Sequence, residues 1–173
     1  MFRKIMKIGL ISDTHSFLDP SIMSLFEDRD EIWHGGDFGS QAVINQLKSF
    51  KTLKGVSGNI DTPQIRLQFP VDLHWSVGNF KVYMTHVAGY PGKYASRVKK
   101  EFVNMPVDLF ICGHSHMLKI IKDQTYEHLH INPGACGHEG FHSMRTAVRF
   151  EIVEDKLKNL EIIELGMRGR LNT

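Results

Sequence analysis

The chain has 173 residues, of which 42% are hydrophobic and 23% are charged, and its net charge is +2. These values fit one globular domain over residues 1–173, and the weak net charge argues against a nucleic-acid partner or an anionic membrane surface. The two cysteines form no C-x-x-C pair, and the start of the chain lacks the apolar run of a signal peptide. We therefore expect reduced thiols, a cytoplasmic location and no membrane partner.

The first predicted strand ends in residues that can carry chemistry. Ile8, Leu10 and Ile11 form a short apolar run, which is typical of a strand buried on both faces. Asp13 and His15 follow directly, at the carboxyl edge where open α/β sheets place their sites. For this stretch alone, an equally good interpretation is that Asp13 caps the next helix and His15 is a loop residue.

The same pattern recurs further along the chain. A strand over 31–33 runs into Gly36-Asp37, and a strand over 52–56 runs into Gly58-Asn59. A hairpin of strands over 67–75 and 80–85 and an apolar run over 107–112 follow. The residues that come directly after these later strands are His86, His114 and His116. Helix capping alone does not explain so many strand ends with polar side chains.

The remaining elements predict the architecture. Helices are expected from Pro20 and over 41–50 and 93–103. Further strands are expected over 118–122, 126–131, 146–153 and 157–165. Many strands with few helices predict an α/β fold in which two mixed β-sheets pack together and helices cover the outer faces.

The strand-end residues form a set of two carboxylates, one amide and four imidazoles. They are Asp13, His15, Asp37, Asn59, His86, His114 and His116. Such ligands suit Mn, Fe, Zn, Co or Ni. Seven ligands exceed the need of one ion but fit two ions that share a bridging carboxylate, which is a recurrent device for hydrolysing phosphate esters.

Five motifs in this order carry a resemblance to a known family. They are D-x-H at 13–15, G-D at 36–37, G-N at 58–59, His86, and G-H-x-H at 113–116. Together they resemble the calcineurin-like metallophosphoesterases, and most of all the small bacterial and archaeal phosphodiesterases related to Vps29. The likeness runs from Lys7 to 132–134. It implies a four-layer α-β-β-α sandwich and a single metallophosphoesterase domain.

The resemblance also implies ligand roles. It assigns the first metal to Asp13, His15 and His116, the second to Asn59, His86 and His114, and the bridge to Asp37. The implied cofactors are two divalent ions, with Mn as first choice and Ni, Co, Zn, Fe or Mg as alternatives. A hydroxide that bridges the ions would attack phosphorus, with Asp37, Asn59 and His114 as the catalytic residues. The partner is then a small phosphate ester.

Two positions depart from the family pattern. Asn59 is followed by Ile60-Asp61, where larger members carry a histidine proposed to protonate the leaving group. Because a lost general acid costs about 10²–10⁴-fold, we favour a phosphodiesterase over a phosphomonoesterase of the same mechanism. Asp61 is expected to orient a neighbouring ligand instead. Val87 stands where the family usually has the glycine after His86.

Because the histidine that would act as general acid is absent, the glycine-rich loop over 136–142 is a candidate source of a proton donor. His138 and His142 in this loop are candidates for substrate contact or proton donation, and Tyr90 and Arg145 are weaker candidates. A non-catalytic protein-interaction scaffold is the third functional alternative, although a scaffold would not need all seven ligands. The later strands could also pack against a second subunit, so a homo-oligomer is an alternative to a monomer.

Overall fold

Two sheets and four helices make up residues 5–169, which are the residues that the computed structural model describes. The start of the chain, considered above for a signal peptide, lies outside them. The strands are β1 (Ile5–Ile11), β2 (Glu31–His34), β3 (Thr52–Gly55), β4 (Asp72–Val77), β5 (Phe80–Thr85), β6 (Leu109–Ile111), β7 (Leu118–Lys122), β8 (Leu129–Pro133), β9 (Met144–Val153) and β10 (Lys156–Met167). The helices are α1 (Ser21–Leu25), α2 (Gln41–Phe50), α3 (Pro63–Arg66) and α4 (Ser96–Asn104).

Both sheets are mixed. The first has the order β10-β9-β1-β2-β3 and the second has the order β4-β5-β6-β8-β7. Each contains three successive parallel strands, β1-β2-β3 at one side of the first sheet and β5-β6-β8 in the middle of the second, with antiparallel strands beside them. No helix among residues 5–169 combines the length and the apolar character that crossing a membrane requires.

Three apolar clusters separate four layers. Side chains that alternate along β1 divide between two of them: Ile8 and Leu10 face the second sheet, while Ile11 packs beneath the helices of the first sheet. The third cluster lies between the second sheet and α4, where Phe102 covers Phe110. The predicted α-β-β-α sandwich is therefore confirmed, with helices on both outer faces.

One predicted strand was partly wrong. Residues 67–71 do not belong to β4, because α3 ends just before Leu67 and the next strand begins at Asp72. Thr62-Pro63 starts this short helix, and the proline occupies its first turn. The alternating apolar residues after it resembled a strand, yet Leu67 is 89% exposed and contributes nothing to the core.

A second difference concerns β8. The prediction ended this strand at Ile131, whereas its ladder runs on through Pro133, which pairs with Leu118 of β7. Proline has no N–H to give to the ladder, and the strand ends at this residue. The consequence is that the 132–134 motif lies at the carboxyl end of a parallel strand, beside the ends of β5 and β6.

The tight packing of α1 on β1 generates a prediction. A Cβ atom on Gly9 would lie 2.7 Å from Cγ of Phe26, which is fully buried. We expect Gly9→Ala to lower the free energy of unfolding by about 1–3 kcal/mol, because overpacking forces the ring out of its place. Denaturant unfolding measures the loss. In the double variant, Phe26→Leu should recover part of the stability that Gly9→Ala removes. If the free-energy losses of the two single variants simply add in the double variant, the contact between the two residues is contradicted.

Candidate metal centre

The loops that follow the parallel strands meet at one end of the sandwich. The loops after β1 and β2 hydrogen-bond to each other, with the Asp13 amide donating to Gly36 at 3.0 Å and the His15 amide to Asp37 at 3.1 Å. In the second sheet, the Gly113 amide donates to His86 at 3.1 Å. The Gly137 amide donates to the Asp13 carbonyl at 3.0 Å and so joins the two sheets.

Backbone conformation singles out the same loops. Five of the seven predicted ligands have left-handed backbone angles, with φ between 47° and 68°. They are Asp13, His15, Asp37, His114 and His116. This conformation costs a non-glycine residue about 1–2 kcal/mol and concentrates at functional sites. All five lie in the loops that follow β1, β2 and β6.

The first group of donors consists of Asp13, His15 and His116, whose ligand atoms all lie within 4.8 Å of one another. Nε2 of His116 is 3.3 Å from Oδ1 of Asp13, and Nε2 of His15 is 3.9 Å from the same oxygen. The two imidazole rings meet edge to face with centroids 5.0 Å apart. These three residues are the ones that the resemblance assigned to the first metal.

The second group consists of Asp37, His86 and His114, again within 4.8 Å of one another. Nε2 of His86 lies 3.1 Å from Oδ2 of Asp37. Asn59 belongs with this group, because its Oδ1 is 3.1 Å from Nε2 of His86 and 2.8 Å from Nδ1 of His114. The structure thus brings all seven predicted ligands together in two adjoining groups.

Asp37 lies where the two groups meet. Its Oδ2 is 3.1 Å from His86 in the second group and 3.5 Å from Nε2 of His15 in the first. Its other oxygen, Oδ1, accepts the backbone N–H of Ile60 at 3.0 Å. Asp13 is held in a similar way, since the Ser12 hydroxyl donates to its Oδ2 at 2.6 Å. In each carboxylate, one oxygen is fixed and the other faces imidazoles.

The electrostatics of the site keep both carboxylates ionised. Burial opposes the charge of Asp13, but the imidazoles of His116, His15 and His86 outweigh it and hold the pKa of Asp13 well below its usual range. Burial likewise opposes the charge of Asp37, and His86 lowers the pKa of its carboxyl. The positive charge that balances these carboxylates can come from imidazolium protons or from metal ions.

The ring nitrogens also suit metal ions. Nδ1 of His86 donates to the Gly35 carbonyl at 2.8 Å, which leaves Nε2 as the ring nitrogen that could bind a metal ion. Nε2 of His15 is buried and has no hydrogen-bond partner among residues 5–169. Imidazole and carboxylate donors in two groups match the preference of first-row divalent ions. The residues present therefore fit two such ions.

Close packing of the backbone fixes the position of Asp37. A Cβ atom on Gly58 would lie 2.6 Å from Cγ of Asp37, so only glycine allows the loop after β3 to approach this carboxylate. Asp61 holds the same loop, because its buried carboxylate accepts the N–H groups of Gly58 at 2.8 Å and Gly39 at 2.9 Å. Asp61 therefore orients two backbone segments that carry ligands and does not contact a ligand side chain.

A buried histidine, His34, supports the site from behind, as its position beside Gly35-Gly36-Asp37 in the sequence suggested. Burial lowers the pKa of His34 to about 3, so its ring is neutral. Its Nδ1 accepts the Gly36 amide at 3.1 Å, and its Nε2 lies 3.0 Å from the Thr14 hydroxyl. His34 thus fixes the backbones of the loops that carry Asp13 and Asp37 without contacting either carboxylate.

The candidates for substrate contact lie outside both groups. The ring of His142 is 5.4 Å from that of His116, and its Nε2 donates to Gly137 at 3.1 Å. His138 packs against Phe17, with ring centroids 4.2 Å apart and the rings tilted by 58°. Arg145 is buried in an ion pair with Asp19, 2.6 Å away, and is therefore a structural residue. Tyr90 lies on the other side of the site, near His114.

The fold and the paired donor groups are those of a metal-dependent phosphoesterase. Residues 6–155 match the calcineurin-like phosphoesterase superfamily domain, and the chain belongs to this superfamily, whose members bind divalent metal ions.

Individual relatives agree with this family. A phosphodiesterase of Methanocaldococcus jannaschii is 28% identical over 148 residues, which cover 76% of this chain and 84% of the relative. The structure of an archaeal phosphodiesterase superposes with a TM-score of 0.73 at 25% identity, covering 92% and 100% of the two chains. Vps29 of Chaetomium thermophilum shares the fold, with a TM-score of 0.71 at 15% identity and coverage of 94% and 99%.

The role of Asp61 in holding two loops can be tested. We expect Asp61→Asn to lower the free energy of unfolding by about 1–3 kcal/mol, because the amide group would face a backbone N–H. Metal affinity should fall about 10–100-fold, as it does for other supporting residues. Denaturant unfolding and calorimetric titration with Mn²⁺ measure the two effects.

Asp155→Asn is the matched control. Asp155 also accepts a backbone N–H, that of Asn79 at 2.8 Å, but at an exposed turn far along the chain from the ligands. This variant should leave Mn²⁺ affinity unchanged. Equal losses of affinity in both variants would contradict the proposed role of Asp61.

Proposed function

We propose that the protein is a dinuclear metal-dependent phosphodiesterase. The observation that carries this proposal is the adjacency of the two donor groups, with Oδ2 of Asp37 facing imidazoles of both. The proposed ligands are Asp13, His15 and His116 for one ion and Asn59, His86 and His114 for the other, with Asp37 between them. Two divalent ions at such a site supply an activated water and positive charge for the phosphoryl oxygens.

The reaction is hydrolysis of a phosphate ester. A water oxygen forms a bond to phosphorus, one ester P–O bond breaks, and the departing oxygen takes up the proton that water gives up. The products of a diester are a phosphate monoester and an alcohol. Asn59 can donate its amide N–H to a phosphoryl oxygen while its Oδ1 faces the second group. The residues proposed to lie nearest the reacting phosphorus are thus Asp37, Asn59 and His114.

The diester preference rests on the shortage of proton donors around the leaving group. Ile60 replaces a histidine after Asn59, and the carboxylate of Asp61 is already occupied by two backbone N–H groups. A diester with a good leaving group needs a donor less than an alkyl monoester does. The phosphodiesterase named among the relatives supports this choice. The alternative enzymatic function is a phosphomonoesterase of the same mechanism. The alternative non-enzymatic function is a protein-interaction scaffold.

Further assignments complete the proposal. Manganese is the ion that we favour, with Ni, Co, Zn, Fe or Mg able to occupy the same donors. Both cysteines, Cys112 and Cys136, are buried free thiols, which supports a reducing compartment and hence the cytoplasm. We also propose that residues 1–173 form one domain and leave open a homo-oligomer. The substrate is proposed to be a small phosphodiester.

Metal removal tests the proposal directly. Chelation should abolish hydrolysis of bis(4-nitrophenyl) phosphate, and Mn²⁺ should restore it, with 4-nitrophenyl phosphate hydrolysed more slowly. Asp37→Ala and His114→Ala should each reduce kcat/KM by about 100-fold or more, because each removes a donor from the second group. Release of 4-nitrophenol gives the rates.

His74→Ala serves as the control for losing a histidine. His74 lies in β4 and its Nε2 is 3.3 Å from Glu101, so this variant should keep the activity of the wild type. Activity that resists chelation, or that survives in Asp37→Ala, would contradict the dinuclear mechanism. Absence of activity in a protein that binds two ions would favour the scaffold.

His138 and His142 are proposed to act on the substrate side of the first group. Each has a buried ring nitrogen with no partner among residues 5–169, Nε2 in His138 and Nδ1 in His142. His138 accepts the Gly169 amide through Nδ1 at 3.4 Å, which places its proton on Nε2. Burial lowers the pKa of His138, so the ring is neutral near pH 7 and offers a hydrogen bond.

We expect His138→Ala to reduce kcat/KM about 10–100-fold, the effect of a hydrogen bond to a charged group. His142→Ala should act mainly by weakening metal binding, since His142 packs on His116. Comparing 4-nitrophenyl and phenyl diesters separates contact from acid catalysis, because a general acid matters more for the poorer leaving group. Full activity in both variants would exclude His138 and His142 from either role.

A further inference from the structure

Two arginines reach the second donor group from the helices next to it. Arg66 is the last residue of α3, and Arg97 lies in the first turn of α4. Together with the predicted ligands Asn59 and His86, they line a cavity of about 190 Å³. Each arginine donates hydrogen bonds to the stretch of chain that carries one of these two ligands.

Arg66 holds the loop that carries Asn59. Its Nη2 donates to the Asn59 carbonyl at 2.8 Å, and its Nε donates to the Asp61 carbonyl at 2.9 Å. This loop follows β3 and lies beyond the ladder that joins β2 and β3, so its polar backbone groups need partners other than a neighbouring strand. The Asp61 carboxylate accepts the N–H of Gly58 at the start of the loop, and Arg66 satisfies two of the loop's carbonyls.

Arg97 holds the chain on both sides of His86. Its Nη2 donates to the Thr85 hydroxyl at 2.9 Å and to the Val87 carbonyl at 2.8 Å. Its Nη1 donates to Oδ1 of Asp72 at 2.7 Å, which fixes the orientation of the guanidinium group. The strand β5 ends at Thr85, so His86 and Val87 lie beyond the ladder and depend on such contacts for their position.

The first donor group is supported in a different way. The loop that carries Asp13 and His15 is joined to the loop after β2 by backbone hydrogen bonds of 3.0 Å and 3.1 Å, and the Gly137 amide donates to the Asp13 carbonyl. Backbone groups stay the same when a side chain is replaced, whereas the bonds of Arg66 and Arg97 are lost with their guanidinium groups. The two donor groups should therefore respond differently to the loss of these arginines.

We propose that Arg66 and Arg97 are positioning residues for the second donor group, and that they raise its affinity for a divalent ion without contacting that ion. A guanidinium group presents its N–H donors in one rigid plane, so each arginine can hold two acceptors of the same stretch of chain at a fixed separation. The inference rests on the proposed dinuclear site. It implies that the second ion can be lost while the first is retained.

Manganese binding tests the inference without relying on turnover. Calorimetry with Mn²⁺ gives the affinities of the two sites, and electron paramagnetic resonance distinguishes a coupled pair of Mn²⁺ ions from single ions. Arg66→Ala and Arg97→Lys should each weaken binding of the second ion about 10–100-fold, as the loss of other supporting residues does, and leave binding of the first unchanged. At an Mn²⁺ concentration that fills both sites of the wild type, these variants should show the spectrum of single ions.

The conservative variant and a matched control complete the experiment. Arg66→Lys should lose less affinity than Arg66→Ala, because an ammonium group can still donate to one carbonyl. Arg149→Lys is the control, since Arg149 also donates to a carboxylate and a carbonyl, those of Glu161 at 2.6 Å and Leu25 at 3.4 Å, but beside α1. It should leave both affinities unchanged. Unchanged affinity for the second ion in Arg66→Ala and Arg97→Lys, or an equal loss at both sites, would overturn the inference.

Hydrogen exchange of the metal-free protein separates this inference from the proposed function. Arg66→Ala should accelerate exchange of the backbone amides over 58–61, and Arg97→Lys should do so over 85–88, while the amides of β1 keep their rates. A wild type that binds a single Mn²⁺ ion would overturn the proposed dinuclear function. Exchange would then still decide the inference, because unchanged rates in both loops would overturn it and faster exchange confined to these loops would support it.

Discussion

Two buried carboxylates impose the constraint on which the arrangement of the loops depends. Asp13 and Asp37 are 0% and 1% exposed, and an isolated charge at that depth would be strongly destabilising. Imidazoles from four other positions face them, and hydroxyl and amide donors hold the oxygens that the imidazoles leave free. The loops at this end of the sandwich must therefore converge, since each brings a charge partner or a donor to the pair.

The convergence of these loops requires a backbone conformation that residues other than glycine disfavour. Five of the seven predicted ligands adopt the left-handed conformation, and their combined strain must be offset by the rest of the fold. The three apolar layers supply that stabilisation, and they lie away from the strained loops, with Trp33 and Phe150 packed between the sheets and Phe26 beneath α1. The middles of the strands therefore stabilise the fold, and the loops at their carboxyl ends carry the residues of the candidate site.

This division explains what the sequence could predict. The middles of strands and helices follow hydrophobic periodicity, so β1 and the bounds of α2 agree with the pattern. The motifs at the strand ends predicted which residues come together in the two donor groups. Residues 67–71 were assigned wrongly because alternation there outweighed the helix start at Thr62-Pro63. The contact of His34 with Thr14 and the pairing of Tyr90 with Lys119 join segments that are distant in the sequence, which no local pattern encodes.

Each donor group draws on both sheets. Asp13 and His15 follow a strand of the first sheet and His116 a strand of the second, while Asp37 faces His86 and His114 across the same gap. Neither group can assemble in a chain whose two sheets have not packed together. Ions bound there would therefore hold the two sheets together. By mass action they would stabilise only the fully folded state, and their loss would permit the two sheets to part first at this end.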